Sequence, residues 1–150
     1  MAEWSAVAQQ VVNPGETIIF NTTAVPCYRG LVRHRDDSGD FSLSGVVNQF
    51  SCCPCQRQDF VNYLVDFGAN IAIPTDGTVG AISVAIAING STLPASIMTV
   101  TPAAVNQFFN VSRAINVPIL ANCCQPVSVR NISSQPILVQ NANIIISRPA

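Results

Sequence analysis

The chain has 150 residues, enough for one domain with a proper core and too few for two comfortable ones. Hydrophobic residues make up 49% and charged residues only 10%, against about 25% in soluble domains, with a net charge of −1. That charge argues against nucleic acid as a partner, because phosphate binding needs a concentrated basic face, and no run approaches the ~20 apolar residues of a membrane span. The charge deficit reads either as an uncharged coat of Asn, Gln, Ser and Thr or as surface covered by neighbouring subunits. The second is the expectation adopted, since contact surfaces are where charge is depleted. The opening MAEWSAVAQQVV lacks a basic segment before an apolar one, so synthesis in the cytoplasm without a signal peptide is expected. Asn-X-Ser/Thr sequons at Asn21, Asn89, Asn110 and Asn131 read as accidents of composition.

In chain order the sequence predicts short strands separated by turns. Segment 4–12 leads into Asn-Pro-Gly-Glu, where Pro14 fixes φ and Gly15 tolerates positive φ. TIIF (17–20) is a buried-strand pattern. GLVRHR (30–35) and DFSLSG (40–45) flank Asp36-Asp37-Ser38-Gly39, a hairpin signal. FVNYLVDFGANIAI (60–73) is strand-like, with a bulge or bend expected at Gly68. In GAISVAIAING (80–90), Ile82, Val84, Ile86 and Ile88 alternate with Ser83, Ala85 and Ala87, so the strand can bury both faces. The bulky set is expected in the core and Ala85 and Ala87 near a neighbouring subunit. TLPASIMTVTP (92–102) places its prolines at strand ends or an edge. AAVNQFF (103–109) is the one helix-compatible stretch, a turn or two at most. Strands resume at 115–120, 126–132, 136–141 and 142–149. Nine or ten short strands with little helix and no strand–helix alternation predict a single all-β domain of sandwich or barrel type.

The ending PVSVRNISSQPILVQNANIIISRP resembles the closing strands of TNF/C1q-like jelly rolls. VDFGANIAIP, NGSTLPASIMTVTPAAV and NVSRAINVP resemble proteins of Gram-positive bacteria and their phages associated with spore-surface or virion decoration. The resemblance implies a jelly-roll β-sandwich, usually a homotrimer whose inner sheets meet near a three-fold axis, with itself and other structural proteins of a particle as partners. It places the chain at a virion surface, or a spore or cell surface. No collagen-like stalk precedes the domain, so residues 1–12 are expected as an N-terminal strand serving attachment or assembly, and 13–150 as the jelly roll. The cysteines also resemble those of disulfide-linked jelly-roll subunits of spore appendages, without a residue-by-residue match.

Six cysteines fall at Cys27, in QFSCCPCQRQ (Cys52, Cys53, Cys55) and in ANCCQ (Cys123, Cys124). Cys52 and Cys55 have the spacing of one zinc knuckle, but the adjacent pair at 123–124 points to opposite faces of a strand and makes a poor second one. Cys53-Pro54-Cys55 lacks the βαβ context of a redox motif. Disulfides between the two clusters or to a neighbouring subunit, and six reduced thiols packed as small hydrophobes, stand beside the metal reading. Catalysis finds no footing, and no enzyme is expected. His34 is the sole histidine, there is no Gly-x-Ser-x-Gly elbow, and the absence of Lys excludes Schiff-base and P-loop chemistry. A 2-His-1-carboxylate iron site is excluded for the same want of histidines. Asp36, Asp37 and Asp40 offer a weak calcium possibility within an ordinary turn. No cofactor is expected. A receptor- or glycan-binding head would need a cluster of exposed aromatics, and Trp4, Tyr28 and Tyr63 are scattered along the chain.

Overall fold

The computed structural model describes residues 1–27, 30–46, 60–121 and 123–148. Among them twelve strands form two antiparallel sheets, with one 3-10 turn, at Pro94–Ser96. The strands are β1 (Ala2–Ala6), β2 (Gln10–Val12), β3 (Thr22–Val25), β4 (Val32–His34), β5 (Phe41–Ser44) and β6 (Phe60–Ala72). They continue as β7 (Ile82–Ile88), β8 (Ser91–Thr92), β9 (Met98–Val100), β10 (Phe109–Leu120), β11 (Cys124–Asn131) and β12 (Ile137–Ser147). The first sheet runs β10-β6-β12-β1-β3, with β2 also on β12; the second runs β4-β5-β11-β7-β8, with β9 also on β7. The expected all-β sandwich is what the chain forms.

Alternation drives the assembly. Along β6, Val61, Tyr63, Val65, Phe67, Ala69 and Ile71 are buried while the residues between them face out. Ile82, Val84 and Ile86 of β7 meet them from the second sheet, all fully buried, with Ile88 packed partly against the same core. Trp4, Phe20, Phe41 and Phe67 fill one part of it with tilted and edge-on ring contacts, centroids 4.9 to 6.5 Å apart. His34 stacks on Phe41 at 4.2 Å, its two ring nitrogens 3.1 and 3.0 Å from the carbonyl oxygens of Asp40 and Phe20. A neutral ring has one N–H and can donate to only one of them.

Two local expectations are revised. The stretch 103–109 is a set of bends, not helix: Asn106 sits at φ 56° and its N–H donates to the Ile73 carbonyl, which ends the turn before β10 begins. Seven residues with Val105 alone packed partly against the core cannot offset the cost of nucleating a helix. Gly68 lies in an unbroken β6, and the irregularity is opposite it in β12, where the register slips between Gln140 and Asn143 and Asn141 takes φ 52°. In TLPASIMTVTP, Pro94 opens the 3-10 turn that separates β8 from β9. Ser96, fully buried there, takes the place of a strand partner: its hydroxyl accepts from Ile86 N–H at 2.8 Å and lies 2.7 Å from the Leu93 carbonyl.

Candidate assembly surface

The outward residues of the first sheet form a broad face with little charge. On β6 these are Phe60, Asn62, Leu64 and Asp66, and the register sets Leu120 beside Phe60, Pro118 beside Asn62, and Asn116 and Ser147 on either side of Leu64. The next row reads Ala114, Asp66, Ile145, Glu3 across four strands. Phe60, Leu64 and Leu120 are 51%, 38% and 44% exposed. Large apolar side chains grouped on one side of a sheet mark an interaction site more often than chance, whereas the same residues scattered singly would mean nothing. Toward the other end of the face the rows turn to amides: Asn110 Nδ2 donates to Asn70 Oδ1 at 3.2 Å, and Asn143 Nδ2 donates to Glu3 Oε1 at 2.6 Å. β10 closes the sheet as a twelve-residue edge strand, of the kind that isolated proteins blunt or cover.

These residues were not singled out from the sequence, although the signal was present: FVNYLVDF alternates, and its second set includes Phe60 and Leu64. The alternation in the sequence points instead to Ala85 and Ala87 on β7. Both are fully buried within the single chain, so their burial needs no neighbour. Ala85 pairs with Arg130, whose Nη1 donates to the Gly15 carbonyl at 2.9 Å, and a large side chain at Ala85 would test folding before it tested assembly. Residues 1–12, expected as an N-terminal strand serving attachment or assembly, contribute β1 and β2 to the first sheet, with Ala2, Trp4 and Ala6 buried. Trp4 and Tyr63 are core residues, and Tyr28 lies outside the described residues.

The cysteines occupy one end of the sandwich as far as they are described. Cys123 and Cys124 are exposed where β10 crosses to β11, and Cys27 is half-buried at the end of β3. Cys52, Cys53 and Cys55 lie outside the described residues. Both flanks of their segment reach this same end: Gly45 N–H donates to the Cys123 carbonyl at 2.6 Å, and Phe60 pairs with Leu120. Gly45 has no alternative there, because a Cβ would run into the carbonyl oxygens of Leu120 and Cys123. Asp36, Asp37 and Asp40 are exposed on the β4–β5 hairpin, with Asp37 at φ 61°. Among the described residues no group of three or more His, Cys, Asp or Glu side chains is arranged to hold a metal ion.

At the mouth between the sheets, the Tyr63 hydroxyl donates to the carbonyls of Ser44 and Leu31. Burial pushes its pKa above the ordinary value near 10, with the Arg148 guanidinium pulling in the opposite direction.

Solved structures match this architecture over almost its whole length. The globular domain of zebrafish complement 1qA aligns with a TM-score of 0.60 at 10% identity, covering 99% of this chain and 98% of that one. The fold is a TNF/C1q-like jelly roll. Eiger TNF from S. frugiperda aligns at 0.65 and 10% identity, over 99% of this chain and 91% of its own. Murine APRIL aligns at 0.64 and 8%, over 99% and 98%. No family model matches the sequence, and no curated protein does. At such identities the likeness carries the jelly roll and not an activity.

Proposed function

We propose that this jelly roll is a non-enzymatic structural subunit that assembles with copies of itself, as a homotrimer, on the surface of a larger particle. The observation that carries the reading is the outer face of the first sheet, where Phe60, Leu64, Pro118 and Leu120 stand exposed with no Lys or Arg among their register partners. Self-association through a sheet face is plausible for this fold, whose solved neighbours are TNF and C1q domains. The particle is proposed to be a phage virion, with the chain as a decoration or head-fibre protein. A second reading, a disulfide-linked spore-appendage subunit, is favoured by the exposed Cys123 and Cys124.

Sedimentation of the purified protein tests the assembly. The expected result is a species of three times 15.9 kDa. Leu64→Arg is expected to yield a folded monomer with unchanged circular dichroism, because the side chain is exposed in the single chain and arginine is not tolerated at the centre of an apolar contact. A wild-type monomer, or a Leu64→Arg trimer as tight as wild type, would remove this face from the proposal.

A further inference from the structure

A cavity of about 290 Å³ lies at the open end between the two sheets, at the low end of the range for small-molecule pockets. Its wall is drawn from distant parts of the chain: Met1 before β1, Leu31 and Val32 at the start of β4, Tyr63 of β6, Ile146 and Arg148 from the end of β12, and Cys27 after β3. The chemistry of that wall is lopsided. Leu31, Val32 and Ile146 offer hydrocarbon. Tyr63 offers only its ring, because its hydroxyl is already engaged by two backbone carbonyls.

Arg148 is the one charged side chain among these lining residues, and its Cζ lies 6.0 Å from the Tyr63 ring centroid. Its interactions among the described residues are with Tyr63; no carboxylate there neutralises it. Residue alternation accounts for its position. Ser147 faces out with the assembly surface, so Arg148 follows Ile146 toward the space between the sheets. A guanidinium carries a planar fork of five donors, so the contact with Tyr63 occupies only part of it and the rest can match a carboxylate in two parallel hydrogen bonds.

We infer that this cavity binds a small monocarboxylate with an apolar or aromatic body, the carboxylate on Arg148 and the body against Leu31, Val32, Ile146 and the Tyr63 ring. The other ligand classes fit less well. A cation would meet Arg148, and a neutral hydrocarbon would leave the guanidinium unanswered. The site lies between the sheets and does not use the outer face of the first sheet, so the inference is independent of the trimer.

The test uses the full chain with its isoleucine, leucine and valine methyl groups labelled, titrated with 4-phenylbutyrate and, separately, with its uncharged amide. Saturable methyl shifts confined to Leu31, Val32 and Ile146 are expected with the acid, and at least about tenfold weaker binding with the amide, the difference a charge-assisted hydrogen bond supports. Arg148→Gln should weaken the acid by a similar factor and leave the amide unchanged. Its side chain is not part of the core, so its methyl spectrum elsewhere should overlay that of the wild type. Three outcomes would overturn the inference: no saturable shift with the acid, equal binding of acid and amide, or acid binding indifferent to Arg148→Gln.

Discussion

Tyr63 shows how a single residue couples packing to pH. Its ring is fully buried and its hydroxyl ties β6 of the first sheet to Ser44 and Leu31 of the second. Burial disfavours the phenolate, so the folded pKa stands above the unfolded one. At a pH where the unfolded chain has given up this proton, the folded chain still holds it. Stability from this group is therefore complete below about pH 10 and is lost as pH rises through the folded pKa. Tyr63→Phe should cost about 1 kcal/mol at neutral pH, for the lost hydrogen bonding. It should also remove this part of the alkaline decline. Urea midpoints from pH 7 to about 11 decide it; parallel declines in wild type and variant would show that Tyr63 is not the titrating group.

At the scale of elements, the bulge in β12 carries a sharper consequence. Asn141 takes a left-handed conformation at φ 52°, one that Asn tolerates and β-branched residues do not. Asn141→Gly should be neutral or slightly stabilising, and Asn141→Val should cost at least about 1 kcal/mol, read as a shift in melting temperature. An unchanged melting temperature for Asn141→Val would show that the strand can pass this point without the bulge. The sequence hints at all of this and misplaces it: the glycine at 68 drew the expectation of a bend, while the residue that bends is the asparagine across the ladder. Strand pairing is a long-range fact, and periodicity reads only one strand at a time. For the same reason the strands themselves were legible, from the alternation in 60–73 and 80–88 and the turn at Asp36–Gly39, while the partners of each strand were not. The assembly face was hidden in the same way. Phe60 and Leu64 become a patch only when register brings Leu120 and Pro118 beside them. Ala85 likewise acquires Arg130 as its cross-strand neighbour only through register.

For the whole molecule, the question is whether sulfur chemistry and assembly are one device or two. Leu120 closes the apolar face, and only a short turn separates it from Cys123 and Cys124, so the two features adjoin. They nevertheless belong to different sheets. Cys124 opens β11 and pairs with Ser44 in the second sheet, while Phe60, Leu64 and Leu120 face outward from the first. Burial of an apolar face does not depend on redox state, so reduction should leave the proposed trimer intact. Exposed thiols on neighbouring particles or subunits can still join covalently once the surroundings are oxidising. The doubly substituted Cys123→Ser, Cys124→Ser chain should then sediment as a trimer like the wild type, while wild type alone forms larger covalent species through this pair, visible on non-reducing gels and collapsing to 15.9 kDa with reductant. If reduction by itself dissociates the wild-type trimer, the sulfurs hold the copies together. The apolar face would then be a minor contact, and the disulfide-linked appendage reading would displace the decoration reading.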